Sequence, residues 1–148
     1  MSNEFGSVHA VIGDGIARAV AVVGLAGIAL IHLLDAPGTF EGSAYKGWLY
    51  VGLITGCIVA GAVLIRRSDP RAWAAAAMLA SGAIVAFVVS RTVGLPQGAD
   101  DIGNWAEPLG LASLFVEGAL VALCWGEAAL PLSRFSESRA SVGTWLTD

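Results

Sequence analysis

The sequence predicts an all-α fold, a bundle of four transmembrane helices with the N and C termini on the cytoplasmic side. Two observations predict it. The 148 residues are 56% hydrophobic and 14% charged, and the mean hydropathy is +0.73, which is more apolar than a typical soluble domain. Four long segments carry almost no charge, and each approaches the ~20 residues that a helix needs to cross a bilayer.

These apolar segments divide the chain into spans and connections. We expect a single integral membrane domain over residues 1–148, with spans at about 15–35, 46–66, 71–93 and 107–130. Outer loops over 36–45 and 94–106 and a cytoplasmic tail over 131–148 complete the chain. Pro70 lies at a helix start, where its missing N–H is not needed, so spans two and three are predicted to be antiparallel neighbours.

The basic residues predict the orientation. When four spans alternate, six arginines fall on one side of the membrane: Arg18, Arg66, Arg67, Arg71, Arg134 and Arg139. Lys46 and Arg91 fall on the other side. Because basic residues concentrate on the cytoplasmic side, we expect a multi-pass protein of the plasma membrane whose loops 36–45 and 94–106 are extracytoplasmic.

The connection between spans three and four is long and polar. Gly94, Pro96 and Gly98 predict a compact, ordered loop rather than a simple linker. Span four is expected to begin at Glu107–Pro108, since proline is tolerated in the first turn of a helix.

Composition also excludes several classes of protein. The net charge of −4 and the dispersed basic residues argue against a nucleic-acid partner. Cys57 and Cys124 both lie in apolar runs, and the chain has no CxxC spacing, so neither a disulfide framework nor a zinc site is expected. We interpret both cysteines as small packing residues.

Span two carries a stripe of small residues, Gly52, Gly56 and Ala60. Small residues let helix backbones approach closely in lipid. This stripe is therefore a candidate contact, either with another helix of the same chain or with a second subunit.

Glu117 is a carboxyl group inside an apolar span. It lies nine residues after Pro108, or about 13–14 Å along a helix, and a charge at that depth normally faces the bundle interior or a cavity. Gly110, Ser113, Val121 and Cys124 share its helical face. Three hypotheses remain open: a structural hydrogen-bonded carboxyl, a ligand for protons or cations, and a contact to another subunit.

A second group of polar residues lies near the outer boundary. His32 and Asp35 are three residues apart, so they share a face of span one. Arg91 and Glu107 lie in the same layer, and a network among the four is expected. His32 and Asp35 are either an interfacial histidine with a helix-end acid, or weak candidates for binding a metal ion or protons.

We predict no cofactor and no metal site. His9 and His32 are 23 residues apart, about 35 Å along a helix, so they cannot hold one haem in a monomer. A haem or a metal ion would require a pair of His32 residues across a dimer, or a larger complex.

The segments HLLDAPGTF and YKGWLYVGL on spans one and two, with VVSRTVGLPQG and WAEPLGLASL on spans three and four, resemble a group of small four-helix membrane proteins from high-GC actinobacteria. The resemblance covers roughly residues 20–125, and it is most specific over Ser90–Pro96 and Glu107–Gly110. His32 matches a histidine of that group. Many members of that group carry a further histidine or acid where this chain has Thr39, Phe40 and Glu41. The chain therefore departs from the pattern that a metal site built on shared histidines would need. The resemblance implies the four-span topology and the outer polar layer, and no particular activity.

The chain contains no P-loop, GxSxG, HExxH or dinucleotide fingerprint, so we expect no catalytic residues. Two functional hypotheses follow. The first is a non-catalytic accessory subunit of a larger respiratory or transport complex, with lipid and other membrane subunits, or itself, as partners. The second is a small oligomeric transporter or channel for protons, cations or a polar solute, using Glu117 and the layer of His32 and Arg91. A redox or metal-binding membrane protein is a third, more distant hypothesis.

Overall fold

The computed structural model describes residues 2–96 and 99–144, with side chains described for residues 9, 11–96, 99 and 101–128. Four helices form this part of the chain: α1 (Ser2–Gly42), α2 (Ala44–Arg66), α3 (Pro70–Thr92) and α4 (Pro108–Thr144). One turn of 3₁₀ helix, Ala99–Asp101, lies between α3 and α4. No strand occurs within the described residues, so the predicted all-α, four-helix class is confirmed.

Neighbouring helices of the bundle run antiparallel, and each helix packs mainly on two others. α1 packs mainly on α2 and α4, and α3 packs on α4 and α2. Two connections, Ser43 and residues 93–107, lie at one end of the bundle, which we call the long-loop end. The turn over residues 67–69 lies at the other end, the short-turn end.

Each helix contains a stretch that is long and apolar enough to cross a membrane. These stretches are Val11–Gly42, Ala44–Arg66, Pro70–Thr92 and Pro108–Ala128. Large apolar side chains on the outside of the bundle, such as Val23 at 71% and Phe115 at 79% exposure, would be unfavourable in water and are expected in lipid. The chain therefore fits a small multi-pass integral membrane protein.

α1 continues beyond the predicted end of span one. We expected a loop over 36–45, but α1 includes Pro37 and ends at Gly42, and Ser43 alone separates it from α2. The Thr39 hydroxyl donates to Asp35 at 3.3 Å, and the Ser43 amide donates to the Thr39 carbonyl at 2.9 Å. Since unpaired backbone groups are costly near a bilayer core, the helix tolerates one proline rather than opening into a loop.

The short-turn end follows the prediction closely. α3 begins at Pro70, and the Asp69 side chain caps the helix by accepting from the Arg71 amide at 2.9 Å. This cap satisfies one of the free N–H groups of the first turn. The tight turn thus makes α2 and α3 antiparallel neighbours.

The long loop is ordered by backbone contacts to the end of α3. Gly94 has φ +80°, a conformation that favours glycine, and its amide donates to the Val89 carbonyl at 3.0 Å. The Gly103 amide donates to the Arg91 carbonyl at 3.0 Å. The described part of the loop therefore folds back over α3. Residue 98 lies outside the described residues.

α4 begins at Pro108, as expected. The Leu111 amide donates to the Glu107 carbonyl at 3.0 Å, which starts the helical hydrogen-bond ladder. α4 then continues to Thr144, through most of the segment predicted as a tail over 131–148. Residues 145–148 lie outside the described part.

The apolar core occupies the short-turn half of the bundle. Its buried side chains come from the part of each helix nearest the short turn or from mid-helix: Ala21, Leu25 and Ile28 of α1, Cys57, Ala60 and Leu64 of α2, Ala72, Ala76 and Ala80 of α3, and Leu120 and Cys124 of α4. Both cysteines are free and buried, which confirms their interpretation as packing residues. Alanine on α3 lets its backbone lie close to its neighbours.

The small-residue stripe of α2 is used mainly inside the chain. Ala60 is buried at 4% exposure, and a Cβ on Gly56 would lie 2.9 Å from the Leu79 side chain of α3. A Cβ on Gly52 would meet nothing within 4 Å. Two of the three predicted positions thus pack within the bundle, and Gly52 is open.

Candidate functional site

The long-loop half of the bundle encloses a cavity of about 760 Å³. All four helices and the long loop contribute to its walls, and its volume lies within the 300–1,000 Å³ range of ligand pockets in proteins. All five predicted ligand or proton candidates line it: His32, Asp35, Arg91, Glu107 and Glu117. The sequence pattern therefore located the residues of one cavity, and the structure supplies their partners.

Arg91 lies in the last turn of α3 and is buried at 7% exposure. Its Nη1 atom lies 2.9 Å from Asp101 Oδ1, and its Nη2 atom lies 2.9 Å from Glu107 Oε2. The guanidinium also lies 4.9 Å from the centre of the Phe87 ring, within the range of a cation–π contact. Its charge is thus balanced by two carboxylates, and the predicted contact with Glu107 is formed.

Asp101 joins this ion pair to α2. Lys46 Nζ lies 3.2 Å from Asp101 Oδ2, while the other carboxylate oxygen of Asp101 faces Arg91. The network therefore connects α2, the long loop, α3 and the start of α4. Both basic side chains of the cavity wall have their charges matched within it.

Asp35 has a different kind of environment. Its Oδ2 atom accepts from the Tyr50 hydroxyl at 2.9 Å and from the Thr39 hydroxyl at 3.3 Å. Both donors are neutral, and no basic side chain pairs with Asp35 in the part of the chain that the structure describes.

His32 lies beside Asp35 without bonding to it. Its Nδ1 atom is 2.9 Å from the Ile28 carbonyl, and since a carbonyl only accepts, Nδ1 carries the proton. The His32 ring meets the Tyr50 ring edge-on, with centroids 4.7 Å apart. The four residues that were expected to form one network therefore form two groups. Arg91 pairs with Glu107, and Asp35 and His32 each contact Tyr50.

Glu117 of α4 lines the cavity and is 1% exposed. Ser113, one turn earlier on α4, donates its hydroxyl to Glu117 Oε1 at 2.5 Å. On the predicted face of α4, Gly110, Ser113, Glu117 and Cys124 are buried and Val121 is half-buried. Within the described residues no hydrogen bond or ion pair joins Glu117 to Arg91, so Arg91 does not reach inward to it.

The residues do not form a recognisable metal centre. Among the described side chains, no group of three or more histidine, cysteine, aspartate or glutamate residues is arranged to hold a metal ion. His32 and Asp35, the weak candidates, lie together without a third ligand of that kind.

The sequence did not identify several polar partners. Tyr50 lies on a different helix from Asp35, and Asp101 lies in an irregular loop, so neither contact follows from helical spacing. Ser113 is different, because it precedes Glu117 by four residues, and residues at that spacing are neighbours on a helix.

Comparison with protein-family models, with curated proteins and with solved structures finds no match for this chain. The geometry of the cavity is therefore the basis for assigning a function.

Proposed function

We propose that this protein binds the positively charged group of a small solute in the cavity, as a carrier does, with Asp35 and Glu117 as the counter-charges. The observation that supports this proposal is the cavity itself, a space of about 760 Å³ that extends to a fully buried carboxyl group. A few polar groups converging on a largely apolar pocket are typical of a ligand site.

The charges on the cavity wall favour a cation over an anion. Four carboxyl groups line it, at Asp35, Asp101, Glu107 and Glu117, against the two permanently basic side chains, Lys46 and Arg91. Asp101 and Glu107 are paired with those two. Within the described residues, the remaining carboxyl groups, on Asp35 and Glu117, have only neutral hydroxyl partners. An unpaired buried charge is unfavourable, so the buried Glu117 carboxyl favours a cationic ligand, and the half-buried Asp35 carboxyl lies in the same cavity.

The distribution of basic residues supports an extracytoplasmic opening. The long-loop end carries Lys46 and Arg91, and both are ion-paired, whereas Arg66, Arg67 and Arg71 lie at the short-turn end. The positive-inside rule then orients the cavity toward the outside. Trp48 and Trp105, exposed at 65% and 46%, mark the outer interface in this orientation.

Binding of this kind does not require a second subunit, because the cavity lies within one chain.

An accessory subunit of a larger complex is the second candidate. The observation that favours it is the length of α4, which continues to Thr144 through a mostly polar segment from Ser133 onward. A helix that projects past the membrane offers a surface to another subunit. In this case the protein would copurify with larger membrane proteins from its native membrane.

The two buried free cysteines provide a direct test of ligand binding. Cys57 and Cys124 are protected in the folded protein, so a thiol-reactive dye reports the melting temperature Tm of the chain in phosphatidylcholine nanodiscs. A ligand that binds only the folded state raises Tm by mass action. We expect Tm to rise with propylamine and to stay unchanged with propanol and with propionate.

Matched variants identify the site. Glu117→Gln and Asp35→Asn should each lose the response to propylamine, whereas Asp14→Asn should keep it, because Asp14 pairs with Arg18 in the other half of the bundle. Circular dichroism checks that each variant is helical. An equal rise in Tm for the wild type and for Glu117→Gln would rule out the proposed site.

A further inference from the structure

α2 and α3 are in contact only over part of their length. Near mid-membrane, Gly56 of α2 faces Leu79 of α3, where an added Cβ would approach the leucine to 2.9 Å. Closer to the short turn, Leu64 and Ala72 are both in the buried core. This half of the helix pair is closed.

One turn toward the long-loop end, the same two helices separate. Gly52 lies four residues before Gly56 and thus on the same face of α2, and an added Cβ there would meet nothing within 4 Å. Gly82, three residues after Leu79 on α3, also has nothing within 4 Å. A gap therefore lies between α2 and α3 at this level.

The cavity reaches this gap. Three of its lining residues are exposed and lie on the two helices: Leu49 of α2 at 60%, Met78 of α3 at 72%, and Gly82. A second exposed group, which includes Gly42 and Asn104, lies at the long-loop end. The cavity thus has an opening toward the aqueous phase and another toward the side of the bundle.

The side opening faces hydrocarbon when the protein is in a membrane. Gly82 is ten residues before Thr92, the last residue of α3, which is about 15 Å along the helix. The opening is lined by the apolar side chains of Leu49, Leu53, Met78 and Leu79. Asp35 and Glu117 lie on the other walls of the cavity, on α1 and α4, and Tyr50 of α2 donates its hydroxyl to Asp35. An apolar entrance with a polar interior is suited to an amphiphilic molecule.

We propose that the ligand of this cavity is a membrane-resident amphiphile with a single hydrocarbon chain and a protonated amine head, which enters from the bilayer between α2 and α3. Its amine contacts Asp35 and Glu117, and its chain occupies the gap beside Gly52 and Gly82. This inference rests on the proposed binding of a cationic group, and it adds the hydrocarbon chain and the route of entry.

The test compares a membrane-resident amine with a water-soluble one. Dodecylamine and propylamine are titrated into nanodiscs, with dodecanol as the control for effects on the bilayer, and the midpoint concentration of the rise in Tm is measured. Gly52 does not line the cavity and has open space around it, so Gly52→Phe can obstruct the gap without a clash in the fold. Gly118→Phe on α4 is the matched control, since Gly118 is also exposed, helical and free of neighbours within 4 Å.

We expect Gly52→Phe to raise the dodecylamine midpoint about tenfold, because the phenyl ring takes the space of the hydrocarbon chain. The propylamine midpoint should stay unchanged, because propylamine has no long chain to occupy the gap. Gly118→Phe should change the dodecylamine midpoint by no more than about twofold. If Gly52→Phe and Gly118→Phe respond alike to dodecylamine, or if dodecylamine binds the wild type no better than dodecanol does, the amphiphile and its route are wrong. A retained propylamine response that depends on Glu117 would then leave the binding of a cation intact, whereas its loss would overturn both proposals.

Discussion

The two halves of the bundle bury different kinds of side chain. In the short-turn half the buried residues are small or aliphatic, such as Ala76 at 0% and Leu64 at 0% exposure. In the long-loop half they are polar or charged, such as Arg91 at 7%, Ser113 at 7% and Glu117 at 1% exposure. The first half is filled by packing, and the second contains a cavity bordered by hydrogen bonds and ion pairs.

This difference separates stability from function within one small bundle. Without a hydrophobic effect between helices in lipid, close packing of small residues holds the short-turn half together. Packing of this kind leaves no room for a ligand. The long-loop half instead keeps its helices in place through contacts at its end, between Lys46, Asp101, Arg91 and Glu107, and the space beneath them stays open.

The largest effect is expected at the centre of the ion network. Arg91→Met leaves the half-buried carboxylate of Glu107 without its cation. Loss of one partner from a fully buried ion pair costs about 3–5 kcal/mol, and the expected loss lies at the lower end of that range because the Glu107 side chain is 30% exposed. The free energy of unfolding in mixed micelles, followed by thiol labelling, measures this loss. If the long-loop half is held by these contacts, Arg91→Met should also abolish ligand binding.

Arg67→Met is the control for that change. Arg67 pairs with Asp69 at the short-turn end, but its side chain is 72% exposed, so its removal should cost no more than about 1 kcal/mol. Equal losses from the two substitutions would contradict the distinction between the halves.

An intermediate effect is expected from filling each half with the same side chain. Ala76→Leu introduces a leucine at a fully buried position of α3, and overpacking of this kind costs about 1–3 kcal/mol. Gly82→Leu, on the same helix, places its leucine where an added Cβ meets nothing within 4 Å. Gly82→Leu should not lower the free energy of unfolding, and the better helix propensity of leucine favours folding by up to about 1 kcal/mol. Unfolding curves of the two variants measure the change in the free energy of unfolding. Comparable destabilisation by both substitutions would show that the cavity is not open space.

The smallest effect is expected from the hydrogen bond of Glu117. A double-mutant cycle with Ser113→Ala and Glu117→Gln measures the coupling between the two side chains. Hydrogen bonds inside membrane proteins contribute about 0.6 kcal/mol on average and about 1.7 kcal/mol at most. A coupling within that range means that the Ser113 hydroxyl binds the Glu117 carboxyl group only weakly. The carboxyl group then remains available to a ligand. A larger coupling would indicate a structural role for Glu117.

The sequence predicted the helices and the position of the polar residues along them. Composition and segment length were enough for the four helices, and Pro70 and Pro108 fixed two helix starts. The depth and face of Glu117 followed from helical spacing, because one turn places residues four apart on the same side. These predictions rest on properties that lie within single helices.

The contacts between helices could not be predicted in the same way. Asp35 bonds to Tyr50 of α2, and that pairing depends on how the two helices are rotated and shifted against each other. The continuation of α1 through Pro37 was also missed, because proline and glycine in sequence usually mark a loop. The sides of the membrane, the actinobacterial resemblance and the identity of any partner stay predictions.

The pairing of Arg91 also bears on how the polar end of the bundle folds. Its partners Asp101 and Glu107 follow it by 10 and 16 residues, and contacts that are local in sequence favour fast folding. Lys46 lies 55 residues before Asp101, so its contact closes a much longer loop. The network thus combines two local contacts with one between distant parts of the sequence.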